Sequence, residues 1–234
     1  MARSIRSTAV LAASLTAALL AGCATTGSGG GPGAATADTL TMALTSDPNT
    51  FDPAKGSAAS DYQVAGLLYE TLVRREGDEV LPGLAESWEV SPDGAVFTLR
   101  DDVTCSDGTP LTPSIAAASL QRFAGPAAAP SAPQVFGPGG ATITADDAAG
   151  TMTVQLGAPW SDLLYGLVIP QAGIACSTDE AALQAGQAPG TGPYTLGAAQ
   201  RGASYMFTAR SDYTVEPAYS EMPDGRRPPR SSRT

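Results

Sequence analysis

The sequence predicts an α/β fold, and three observations carry that expectation. Short runs with apolar residues at every second position recur along the chain. Between them lie segments with apolar residues three and four apart, each opened by a cap-type residue. Pro, Gly, Asp and Asn cluster at the junctions, where turns are required. No internal repeat is visible.

Leu40, Met42 and Leu44 alternate with Thr39, Thr41, Ala43 and Thr45, which predicts a first strand ended by Asp47-Pro48-Asn49. Ser60 or Asp61 is placed to cap a helix whose apolar face is Val64, Leu67, Leu68 and Leu72. Glu76-Gly77-Asp78 marks a turn before Val80-Leu81. Trp88 and Val90 alternate with Ser87 and Glu89 as a half-buried strand, with Trp88 in the core. Pro92-Asp93-Gly94 supplies the turn and Val96 to Leu99 the returning strand. Thr112 caps the next helix and Pro113 takes its first position, with Ile115, Ser119, Leu120 and Phe123 near one face. Gly125 to Gly140 reads as an irregular surface loop. Thr142–Thr144 and Met152–Leu156 form a hairpin around Asp146-Asp147, and Trp160 to Leu167 a short helix. Ser177-Thr178-Asp179-Glu180 reads as a capping box for a helix that Gly186 ends. Thr195–Gly197 and Tyr205–Ala209 make a second hairpin.

The chain has 234 residues, a formal net charge of -10, no histidine and 43% apolar residues, enough for a core. Arg226, Arg227, Arg230 and Arg233 sit at the end, so the body is more acidic than the total implies. That distribution excludes a nucleic-acid surface, which needs clustered positive charge. It serves solubility and also suits cationic or amphoteric solutes. Without histidine the usual catalytic triads lack their base, so an enzyme is not expected. Asp101-Asp102 and Asp146-Asp147 read as solvated turns, since as calcium or acid–base groups they lack supporting ligands. No cofactor and no metal site is expected.

Arg3 and Arg6 precede an uncharged small and apolar run, Thr8 to Leu20, too short for a span of ~20 residues but fitting a secretory signal. Leu20-Ala21-Gly22-Cys23 resembles a bacterial lipobox, in which Cys23 becomes the lipidated first residue; an ordinary signal peptide is the alternative. The expected division is therefore a lipoprotein signal peptide over 1–22, a flexible Gly/Thr/Ser tether over 23–38, a folded domain over 39–221 and a disordered tail over 222–234. With Cys23 lipidated, Cys105 and Cys176 remain outside the cytosol and are expected to pair, stabilising the fold by about 4 kcal/mol in the chain-entropy model. Two unrelated buried thiols are the alternative.

Four ordered pieces between Leu81 and Phe123 carry a family resemblance: Pro82-Gly83-Leu84-Ala85-Glu86-Ser87-Trp88, Ser91-Pro92-Asp93-Gly94, Leu99-Arg100 and Ser106-Asp107-Gly108-Thr109-Pro110-Leu111-Thr112. They resemble the family 5 extracytoplasmic solute-binding proteins, the receptors of peptide and related ABC importers. Where that family has an acidic helix start, this chain has Pro113-Ser114-Ile115. Ser46 to Pro53, Leu68-Tyr69-Glu70-Thr71-Leu72, Gly190-Thr191-Gly192-Pro193-Tyr194 and Arg210-Ser211-Asp212-Tyr213 extend the likeness to Thr39–Tyr213.

The resemblance implies the first lobe of a two-lobed, class II periplasmic-binding-protein-like fold, with mixed sheets and flanking helices. It implies a monomer on the outer face of the cell membrane, periplasmic where an outer membrane exists, tethered by lipid. Such a protein encloses a peptide or other small solute between its lobes and delivers it to ABC permease subunits. The polar tail from Gly225 to Thr234 cannot fill the buried strand the family would place there. A reading frame truncated after the first lobe is expected, with a naturally short protein as the rival. The ligand-binding positions expected in this lobe are Ser46, Asp47, Pro48 and Asn49 at a strand exit, with Tyr69 added from a helix; plain turn formation is the alternative for Asp47 and Asn49, and a core ring with its hydroxyl at the rim for Tyr69. A fragment that binds nothing, or an extracytoplasmic hydrolase, are the alternative functions.

Overall fold

The computed structural model describes residues 39–42, 44, 46–125 and 130–215, all within one unit of the chain, Ala37–Thr234. The expected signal peptide, Cys23, the tether and the tail lie outside the described residues.

A four-stranded antiparallel sheet is built from β4 (Ala85–Ser91), β5 (Gly94–Leu99), β6 (Ala141–Asp146) and β7 (Thr151–Leu156), in the order β4-β5-β7-β6. Its register pairs Trp88 with Phe97, Phe97 with Met152, and Ile143 with Val154. Phe97, Met152 and Val154 are fully buried. They share one core cluster with Ala116, Leu120 and Phe123 of helix α2 (Pro113–Ala124), so period two on the strands meets period 3.6 on the helix. Trp88 packs against this cluster, whereas Val90, near the turn on an edge strand, is exposed.

β1 (Thr39–Met42), β8 (Tyr194–Gln200) and β9 (Ser204–Ala209) form a second antiparallel sheet in the order β1-β9-β8. Phe207 and Tyr205 of β9 meet Phe51 and helix α1 (Ala59–Leu68) through Val64 and Leu68. A two-stranded hairpin joins β2 (Val73–Glu76) to β3 (Glu79–Pro82). Three short α-helices, α3 (Ala132–Phe136), α4 (Leu163–Gly166) and α5 (Glu180–Ala185), and two 3₁₀ turns, Pro53–Lys55 and Pro170–Ala172, complete the elements of the described residues.

Several local expectations are corrected. Helix α1 begins after Ala58, so Ser60 and Asp61 lie inside it; Asp61, at its third position, still satisfies the end by reaching back to the Ser57 and Ala58 N–H groups. The helix stops at Leu68, and the buried Leu72 belongs to the following turn. The Gly125–Gly140 segment contains α3, whose Val135 and Phe136 are buried, with the Phe136 ring 5.6 Å from that of Phe123. Apolar burial outweighs the flanking Pro and Gly there. Asp179, not Ser177, caps α5 by accepting from Ala181 and Ala182 N–H, and Gly186 ends the helix at φ 71°. Helix α2 is capped by Thr112 as expected (3.3 Å to Ile115 N), and Asp147 also accepts from Ser114 N at 2.8 Å. The acidic group absent from that helix start in sequence arrives from the β6–β7 turn.

Cys105 and Cys176 are joined by a disulfide. Around it the separated sequence pieces converge. Gly190 and Gly192 lie against the Leu68 carbonyl, where a Cβ on Gly190 would come within 2.1 Å of that oxygen. Thr191 accepts from Glu70 N–H at 2.9 Å and donates to the Ile174 carbonyl at 2.7 Å. The Arg210 guanidinium donates to the carbonyls of Thr104, Cys105, Gly190 and Gly192 and pairs with Asp212.

Candidate functional site

The loop after β1 is the first part of the site, and its shape is dictated by its neighbours. Asp47 Oδ1 accepts from Gly202 N–H and Tyr205 O–H, both at 2.9 Å, at the β8–β9 turn. The Pro48 carbonyl accepts from Arg201 Nη2 at 2.7 Å. Asn49 N–H donates to Asp61 at 2.7 Å, while its carbonyl accepts from Gln184 Nε2 at 2.9 Å. The Ser46 and Ser60 hydroxyls lie 3.2 Å apart. Four elements thus hold a loop that leaves Ser46 and Asn49 exposed and Pro48 buried. A loop fixed this way loses little conformational entropy on receiving a ligand.

Electrostatics reinforce the anchoring. The Gly202 N–H, then the Tyr205 hydroxyl, and more weakly the Arg201 charge hold the Asp47 carboxyl below its ordinary range against a small opposing effect of burial. Asp47 is therefore an anion at neutral pH. At Asp61 burial acts in the raising direction, but the Ser57, Asn49 and Ala58 N–H donors outweigh it and its carboxyl also sits low.

Tyr69 is not brought into this loop. It caps the C-terminus of α1, is 3% exposed, and packs beneath Gly190 in the cluster that also holds Phe51 and Tyr205. Its hydroxyl has no hydrogen-bond partner among the described residues. Burial first, and then the Asp52 carboxylate, push its pKa upward. The ring lies in the core, as the alternative reading of Tyr69 has it, and its hydroxyl is buried rather than at a rim.

Past the C-terminal end of α5 lies a concavity of about 150 Å³, lined by Leu68, Ser106, Gln187, Gly190, Tyr194 and Leu196 among others. Ser106 N–H donates to the Gly190 carbonyl at 2.8 Å and its hydroxyl accepts from Gly190 N–H at 3.1 Å, which fixes the floor. Sequence reasoning did not single out Gln184, Arg201 or Tyr205. Only contacts across more than 130 residues place them at the loop, and no local periodicity encodes those. Among the described residues no group of three or more metal-type ligands is placed to hold an ion. The arrangement offers polar groups and backbone at a strand exit.

Residues 79–229 match the family described as bacterial extracellular solute-binding proteins, family 5 middle. The chain is 29% identical over 192 residues to the probable D,D-dipeptide-binding periplasmic protein DdpA of Escherichia coli K12, covering 75% of this chain and 36% of that one. The solved substrate-binding protein of Microbacterium hydrocarbonoxydans complexed with 4-hydroxybenzoate hydrazide superposes with a TM-score of 0.67 at 41% identity, over 73% of this chain and 36% of the other. The E. coli murein tripeptide binding protein MppA gives a TM-score of 0.60 at 26% identity, over 73% and 38%. The architecture is thus that of one lobe of the two-lobed periplasmic binding proteins, and the chain spans about a third of the length of these three proteins.

Proposed function

The chain belongs to family 5 of the bacterial extracellular solute-binding proteins, and from that premise we propose that it serves as a solute-binding component of an ABC importer, taking peptides or related small solutes. The family match carries this reading. The peptide class is favoured because relatives are named for D,D-dipeptide, murein peptide and oligopeptide binding. The loop Ser46–Asn49 and the concavity past α5 supply one wall of the ligand site. In this reading Cys23 carries the lipid that holds a monomer on the outer face of the membrane, where permease subunits collect the solute. The lack of histidine in the sequence and the bridging of Cys105 and Cys176 support binding over catalysis.

Isothermal titration calorimetry with mixed di- to pentapeptides tests the reading. A ligand held on one wall buries limited area, so saturable binding with Kd of ~1 mM is expected, about −4 kcal/mol. No saturable heat with any of these peptides at ten times that concentration would sink it.

A further inference from the structure

The cations of the described chain are Lys55, Arg74, Arg75, Arg100, Arg122, Arg201 and Arg210. Lys55, Arg75, Arg100, Arg122 and Arg210 pair with Glu180, Asp78, Asp102, Asp52 and Asp212 at 2.6 to 3.8 Å. Arg74 lies near enough to act on the Glu70 carboxylate. Arg201 differs: among the described residues it makes no ion pair. Its hydrogen bond goes to the Pro48 carbonyl, which pins one N–H and leaves the rest of an exposed guanidinium fork available. The nearby Asp47 carboxylate is already engaged by Gly202 N–H and Tyr205 O–H through Oδ1. In a strongly acidic body, a cation that makes no direct ion pair, acts on Asp47 only weakly and is held against the candidate loop has donors free to read an anion.

We propose that Arg201 sets specificity by taking the terminal carboxylate of a peptide, or of another acidic solute, lying on the Ser46–Asn49 loop. The proposal rests on the solute-binding reading above. A guanidinium held at one N–H keeps its plane fixed while offering a paired set of donors, which matches a planar carboxylate and not a carboxamide.

The test is an NMR titration of the protein with trialanine as the free acid and as its C-terminal amide. The wild-type protein is expected to bind the acid about tenfold more tightly than the amide. R201Q is expected to weaken acid binding about tenfold more than amide binding, so that the preference is lost, and R201K to keep only part of the preference because it retains charge without the fork. Equal wild-type affinity for acid and amide overturns the assignment while leaving the solute-binding reading standing. So does an R201Q variant that weakens both alike, which would mark Arg201 as a support for Pro48 only. Absence of binding for both peptides overturns the solute-binding reading and this assignment with it.

Discussion

The Asp61 carboxylate collects three backbone N–H groups, from Asn49 at 2.7 Å and from Ser57 and Ala58 at 3.0 Å, so one side chain closes the start of α1 and fixes the candidate loop. D61A is expected to cost about 2–4 kcal/mol, measured by urea unfolding at pH 7, because the donors are left in a largely buried place. Its folded pKa is depressed, so this stabilisation is present above the unfolded value near ~4 and is lost as pH falls through the folded value. A cost that persists undiminished at the lowest pH where both proteins fold would contradict that role. Glu70 has the opposite sign. Burial pushes its carboxyl up to about 7, and the Tyr213 hydroxyl that donates to it and the Arg74 charge only partly oppose the rise. Between the ordinary carboxylate range and that value the folded protein holds a proton the unfolded chain has lost, so stability falls as pH rises through this window. E70Q is expected to remove a fall of up to about 3 kcal/mol between pH 5 and 7.5. An unchanged pH slope in E70Q would contradict the assignment.

At the scale of elements, the strands and hairpins were legible because alternation and turn chemistry are local: Trp88 to Leu99 and Thr142 to Leu156 pair as their patterns predict. Element ends were less legible. Asp147 closes α2 from a hairpin 33 residues away, and the burial of Val135 and Phe136 folds a helix where Pro and Gly read as loop. The candidate site shows the same division. The strand-exit loop could be found from Asp47-Pro48-Asn49, and a core ring for Tyr69 was a readable alternative, but not the loop's anchors Gln184, Arg201 and Tyr205, nor the burial of the Tyr69 hydroxyl, since these depend on which elements pack together. The family pieces at Leu68–Glu70, Gly190–Gly192 and Arg210–Tyr213 were each readable, yet their meeting around the disulfide was not. That disulfide spans 71 residues, and replacing both cysteines by alanine is expected to lower stability by about 4 kcal/mol in thermal or urea unfolding. A loss under ~1 kcal/mol would show that the Arg210 contacts hold the junction without it.

Across the whole described molecule, two hydrophobic clusters lie side by side, one centred on Phe97 and Phe123, the other on Phe207 and Val64. The Asp52–Arg122 pair, at 2.6 Å with the Asp52 side chain 1% exposed, ties the start of the second cluster to α2 of the first. R122A leaves that carboxylate buried without its partner and is expected to cost about 3–5 kcal/mol. Calorimetry of the wild-type protein should show one cooperative transition, and two resolved transitions would mean that the clusters fold independently. The central claim is that this acidic α/β lobe meets its solute at the Ser46–Asn49 loop and the concavity past α5. The most direct measurement is an amide-resolved NMR titration with a mixture of tripeptides at millimolar concentration. The account predicts saturable shifts at Ser46, Asn49, Gly202, Gln187 and Thr195. Saturable shifts confined instead to Thr98, Thr144 and Thr153, on the four-stranded sheet, would contradict it.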